Sequence, residues 1–329
     1  MVFFRLTTGI LSLVLISLGS EACWVLTGFC SIAMITLMKS YFFAIAFVFL
    51  LVLAGNVLAA PTPPEAPVAP TAPNAPTALD KSFALPEDAV QISEDLFRLR
   101  ASKDPGTNEN VEGYAIIHKK SHFRDAFARV QRPARLSGST CYGYLASGAK
   151  WKWVEPWVVN PANNSSIADN DVFGIFSSSI SKWEDATDGN VGFGAGVNVI
   201  GDGSTTSSAL AADTVSPDDL NEAYFGEIED SDTIAATIIW GIFSGPTRNR
   251  KLVEWDQIYN TVYGWSSTGE ADKMDLDNIV THEIGHSFGM NDLYTSSCWV
   301  QTMFGYADFG ETIKRTLEAG DINGINKLY

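Results

Sequence analysis

Two histidines four residues apart, in His282-Glu283-Ile284-Gly285-His286, restrict their surroundings more than any other feature of this 329-residue chain. Residues at that spacing lie on one face of a helix, so both imidazoles reach one metal ion while Glu283 points toward its open side. Zinc suits imidazole ligands, and three protein ligands leave a fourth position for water. A helix with two surface histidines is the plainer alternative, but the chain has only 4 histidines and two of them sit in this pentapeptide. The helix should start at an Asp275 or Asp277 cap and run to Phe288. Gly289 can then take a left-handed conformation at no steric cost and turn the chain back. That turn presents Asp292 to the same metal as a third ligand. Further along, in Thr302-Met303-Phe304-Gly305, lies Met303, for which ordinary core packing is the plain reading.

Composition agrees with a packed protein. With 46% hydrophobic residues, 18% charged and 4 Cys, the chain can bury a sizeable core and is not a disulfide-stapled miniprotein. Its net charge of −16 is uneven: residues 61–148 hold 10 basic and 10 acidic side chains, whereas residues 149–329 hold 10 basic against 27 acidic. So acidic a domain excludes nucleic acid as a partner, because that affinity rests on Lys and Arg neutralising phosphates.

Residues 1–60 form an apolar leader broken by Glu21 and Lys39-Ser40. Within it, residues 38–59 read as a secretory signal: Lys39, the apolar run Tyr41–Ala54, then Val57-Leu58-Ala59 before a cleavage at Ala60. Leu11–Leu18 and Cys23–Leu37 are candidate membrane segments, so a start at Met38 and a retained membrane anchor both stand. Residues 61–78 are a Pro/Ala-rich linker. Residues 79–148 make a pro-region or accessory segment, with a charged, helix-like piece from Pro86 to Arg100. From residue 149 a packed domain begins. Trp151–Val159 reads as a strand made edge-like by Pro156, and Val172, Phe173, Phe176, Ile180 and Trp183 recur at helical spacing behind an Asp169 or Asn170 cap. Strand-like runs follow at Val191–Ile200, Thr233–Trp240 and Leu252–Thr261, and a last helix from Leu317 or Asp321 to Leu328. Strands with a few helices over residues 149–329 predict one α+β domain.

These residues resemble a known clan. His282 to Asp292 is similar to the extended metzincin zinc motif, and Met303 to the methionine of the turn beneath the metal in that clan. The tail Leu317-Glu318-Ala319-Gly320-Asp321-Ile322-Asn323-Gly324-Ile325 with Leu328-Tyr329 resembles the closing helix of the matrixins, as do Trp183 and the stretch from Asp275 to Thr281. The resemblance runs from Lys150 to Tyr329. It implies a metzincin-like catalytic domain, a twisted mixed β-sheet with an active-site helix and a C-terminal helix. It also implies catalytic Zn2+ on His282, His286 and Asp292, Glu283 as general base, and Gly289, Met303 and Asp321 in support, Asp321 bracing the methionine turn. Departures from the matrixin pattern are an Asp third ligand, as in snapalysin-like secreted metzincins, and no histidine in Thr233–Trp240 for a second zinc. Gly320 replaces the first of two adjacent acids, and Tyr306 lies three residues past Met303, which argues against it as a ligand.

The expected protein is thus a secreted, monomeric zinc metalloendopeptidase made as a zymogen, with a protein or peptide substrate bound along an edge strand at Thr233–Trp240. It would touch a membrane only through a retained leader. Two rivals remain: a gluzincin whose third ligand is Glu311 or Glu318, and a non-catalytic secreted zinc-binding envelope protein. Against the latter stands Glu283, since a structural zinc needs no general base. Structural Ca2+ at Asp169, Asp171, Asp202, Asp218 and Asp219 competes with simple solvation of those acids. Asn163 and Asn164 head glycosylation sequons, while His118 and His122 are expected at the surface. Cys141 and Cys298, the cysteines outside the leader, read as one disulfide. The alternative is that Cys141 is a latency switch of the matrixin kind, although Ser139-Thr140-Cys141-Tyr142-Gly143 lacks that family's surrounding motif.

Overall fold

The computed structural model describes residues 14–18, 21–25, 82–121, 140–187 and 198–329. The signal-like segment 38–59, the linker 61–78, His122 and most of Val191–Ile200 lie outside the described residues. The chain divides into two units, Met1–Pro70 and Thr71–Tyr329. In the first, β1 (Val14–Leu18) and β2 (Glu21–Val25) pair antiparallel, with Val14 opposite Val25. No helix among the described residues is long and apolar enough to cross a membrane.

The second unit is built on an 11-stranded mixed sheet. In chain order its strands are β3 (Ser82–Phe83), β4 (Val90–Gln91), β5 (Leu96–Arg98), β6 (Ser102–Lys103), β7 (Asn110–Lys120), β8 (Trp157–Val159), β9 (Gly203–Thr205), β10 (Asn221–Ile228), β11 (Thr233–Ile242) and β12 (Lys251–Asn260), with β15 (Tyr306–Ala307) last. A separate pair, β13 (Trp265–Ser266) and β14 (Met274–Asp275), runs parallel. The main order is β4-β5-β7-β11-β12-β10-β8-β9. β8, β9, β10 and β12 are mutually parallel, and β11 runs antiparallel to both β7 and β12. Three helices among the described residues, α1 (Asp169–Thr187), α2 (Leu276–Ser287) and α3 (Ala319–Leu328), complete an α+β domain.

Strand alternation divides the core in two. Ala235 and Ile239 of β11, Trp255 and Tyr259 of β12, and Ile116 of β7 join the helices in one cluster with Phe176, Trp183, Ile284, Phe288 and Met303. Their neighbours Ala236, Ile238 and Trp240 of β11, Ile258 and Ile117 join Phe83 and Leu99 in a second cluster. Across the first cluster the buried Trp183 indole donates to Thr281 O at 2.8 Å, tying α1 to α2.

Three sequence expectations are corrected. Pro86 to Arg100 is not helical: β4 and β5 lie there, because β7 offers an edge on which Leu96 can join the first cluster and Phe97 the second. Of Trp151–Val159 only Trp157–Val159 is strand, and it is not an edge, since β9 and β10 pair with it on either side while Pro156 stands outside the ladder. Nor is Thr233–Trp240 an edge. β7 covers it, in keeping with its near-continuous apolar sequence, which marks a strand buried on both faces.

Candidate metal centre

Helix α2 starts at Asp275, whose carboxylate accepts from Asn278 N at 3.0 Å and from Arg315 Nε at 2.7 Å. Its three-and-four periodicity carries His282, Glu283 and His286 into the interior, each 0% exposed. His282 Nδ1 lies 2.7 Å from Thr302 O and His286 Nδ1 3.0 Å from Met290 O. A carbonyl oxygen only accepts, so each Nδ1 carries the proton and donates, leaving each Nε2 with a free lone pair.

The helix ends in a Schellman turn: Gly289 N donates to His286 O at 2.8 Å and Met290 N to Gly285 O at 3.0 Å. Gly289 has φ of +96°, and a Cβ there would strike Ala149 O at 2.9 Å, so both conformation and space require glycine. The chain beyond is fixed on either side of Asp292, Asn291 N donating to Gly143 O at 3.0 Å and Leu293 N to Met303 O at 2.8 Å. A disulfide between Cys141 and Cys298, with Cα atoms 5.6 Å apart, ties the 140s segment to the chain following Asp292.

Asp292 Oδ1 thereby comes within 3.1 Å of His282 Nε2 and 3.6 Å of His286 Nε2. None of these three buried atoms has a hydrogen-bond partner. One ligand atom from each residue lies within 4.8 Å of the others. Two imidazole nitrogens and a carboxylate oxygen, buried with open lone pairs, form a donor set that fits zinc. Glu311 and Glu318 belong to no such convergent group among the described residues. Glu311 pairs with Lys314, and the Glu318 side chain caps α3. The five candidate calcium acids form no convergent group either.

Met303 is fully buried against Gly285, where a Cβ would meet its sulfur at 2.2 Å. Asp321 of α3 accepts from Thr302 N at 2.8 Å and from Met303 N at 3.2 Å. The Tyr306 hydroxyl donates to Glu94 Oε1 at 2.5 Å. Both sequon amides are engaged: Asn163 Nδ2 donates to Ile167 O at 2.8 Å and Asn164 Nδ2 to Tyr263 O at 3.1 Å.

His118 corrects a further expectation. It is 0% exposed rather than superficial, and its Nδ1 lies 2.7 Å from Glu283 Oε1. Burial, reinforced by the Lys314 ammonium, lowers its pKa to about 3, so the ring is neutral; with Glu283 ionised, its carboxylate only accepts and His118 Nδ1–H donates. Thr237 Oγ1 donates to the other oxygen, Glu283 Oε2, at 2.6 Å. Burial pushes the Glu283 carboxyl above its ordinary range, opposed by the hydrogen bond from the Thr237 hydroxyl. Beside the site, buried Asp95 accepts from the Tyr294 hydroxyl at 2.6 Å. His118 shares its strand face with Ile116, two residues earlier on the helix side, and that parity was the available signal. For Thr237 and Asp95 no local sequence signal exists.

The fold and this centre define a class, an α+β domain with a histidine-bearing helix closed by a glycine turn. Residues 254–329, from within β12 to the end of the chain, match the Peptidase_M10 family model, described as Matrixin. That match supports a metzincin-like, zinc-dependent metallopeptidase domain here. No curated protein matches the chain.

Proposed function

We propose that this chain is the precursor of a secreted zinc endopeptidase in which His282, His286 and Asp292 hold the metal and Glu283 is the general base. The observation that carries this reading is the trio of buried, unpartnered atoms His282 Nε2, His286 Nε2 and Asp292 Oδ1. Zinc bound there would supply Lewis acidity, polarising the scissile carbonyl and acidifying the attacking water. Glu283 takes the proton of that water as the new C–O bond forms, then delivers it to the amine nitrogen as the C–N bond breaks. Thr237 orients the carboxylate through Oε2. His118 Nδ1–H fills one of the lone pairs of Oε1. The signal-like residues 38–59 support export, with protein or peptide as substrate and the monomer as working form; a retained leader would anchor it facing outward.

Latency belongs to the same reading. β7 lies antiparallel on β11 as an extended peptide substrate would, its His118 occupies the base, and the site histidines have no exposed surface. We read residues 79–148 as an inhibitory pro-region; the other reading, an accessory part of the domain, has in its favour that Ile116 and Ile117 of β7 lie in the two core clusters.

The deciding experiment is casein digestion by processed protein, with and without a chelator, for the natural chain and Glu283→Ala. Chelator-sensitive digestion lost in the variant, at unchanged zinc content, supports the reading. Undiminished turnover in Glu283→Ala contradicts it.

A further inference from the structure

The register of β7 on β11 fixes which of its side chains meet the site. Ile116 stands opposite Thr237, His118 opposite Ala235 and Tyr114 opposite Ile239. Opposed residues of a ladder put their side chains on one face, and Thr237 reaches Glu283, so this face is turned toward α2. Ala115 and Ile117 stand opposite Ile238 and Ala236 and face the other way.

The two faces differ in what lines them. Ile116 is 1% exposed, and among the described residues it is the only buried member of the first cluster that comes from residues 82–121. The other buried members, including Ala235 and Ile239 on either side of Thr237, belong to residues 149–329. Half-buried Tyr114 packs on the same cluster, its ring 4.8 Å from that of Phe243. On the opposite face Ile117 and Ala115 share their cluster with Phe83, Leu99 and Val111 of their own segment. Withdrawing residues 82–121 thus leaves, on the α2 side, an apolar socket level with Thr237 and an aromatic platform at Phe243, both built by residues 149–329. The opposite face loses much of its own cover along with β7.

We infer that β7 is a template of the substrate, an inference that rests on residues 79–148 being a pro-region. The enzyme selects extended peptides with an aliphatic side chain two residues, and an aromatic one four residues, to the amino-terminal side of the residue level with Glu283. His118 marks that level, because its ring meets Glu283 Oε1 at 2.7 Å. A peptide running antiparallel on β11 returns to the same face every second residue, so it meets the socket and the platform at the positions that Ile116 and Tyr114 fill. A charged side chain in the socket would be buried without a partner, which excludes it. The more open position at Phe243 discriminates less.

The processed, zinc-loaded protein and a synthetic peptide copying residues 110–121 test this. The peptide should inhibit casein digestion. Ile116→Ser in the peptide should weaken inhibition by about tenfold or more, the scale of one buried aliphatic side chain. Ile117→Ser, on the other face, should weaken it less. Mapping the cuts made in denatured casein gives a readout free of this chain's own sequence: aliphatic residues should be enriched at one fixed position within three residues of the cut, on its amino-terminal side. Chelator-sensitive digestion with equal inhibition by the Ile116→Ser and unaltered peptides, or cuts with no such aliphatic preference, overturns the inference while leaving the zinc site standing. Digestion that fails altogether contradicts the proposed endopeptidase itself, and the inference with it.

Discussion

A Cβ added to Gly285 would lie 2.2 Å from the sulfur of Met303, so the helix that carries the site histidines rests directly on the turn that follows the third ligand. The same Cβ would approach Trp183 at 2.7 Å. Gly285→Ala should therefore destabilise the domain by about 1–3 kcal/mol through overpacking. Met303→Ala should absorb part of that cost, making the double substitution less than additive. Denaturant midpoints of the two single variants and the double variant check this, and strict additivity would show that the contact does not constrain the helix.

The disulfide closes a separation of 157 residues and braces the segment that pairs with Asn291. Cys141→Ser should cost about 2–5 kcal/mol of stability. Non-reducing peptide mapping of the unprocessed chain should recover Cys141 linked to Cys298. Recovering both as free thiols, with a prematurely active Cys141→Ser variant, would restore the latency-switch alternative.

His118 holds Glu283 Oε1 at 2.7 Å from a strand laid on β11. If that contact enforces latency, an engineered protease site within residues 122–139 should switch the chain from inactive to active when cut. The loss of general-base transfer alone corresponds to about 10²–10⁴-fold in rate. Hydrolysis of a short peptide before and after cutting measures it. An uncut chain working at the full rate would make residues 82–121 a permanent part of the active domain.

The parts of this fold that were legible in sequence are those governed by local rules. The Asp275 cap, the helical spacing of His282 and His286 and the glycine turn at Gly289 each declare themselves within a few residues. What was not legible depends on partners distant in sequence. His118 lies 165 residues from Glu283, and the strand identity of Leu96–Arg98 exists only because β7 supplies hydrogen bonds to it. The apolar run of β11 was readable as a strand, but nothing within it says whether its neighbour is a substrate or residues 110–120 of its own chain.

In the proposed enzyme Asp292 completes the metal site with His282 and His286. Elemental analysis of purified Asp292→Ala and Glu318→Ala, each checked for native fold, tests it most directly. Asp292→Ala should lose zinc while Glu318→Ala retains one zinc per chain, as a three-ligand site requires. Full zinc occupancy in Asp292→Ala, with loss instead in Glu318→Ala, would contradict it and assign the third ligand to the closing helix.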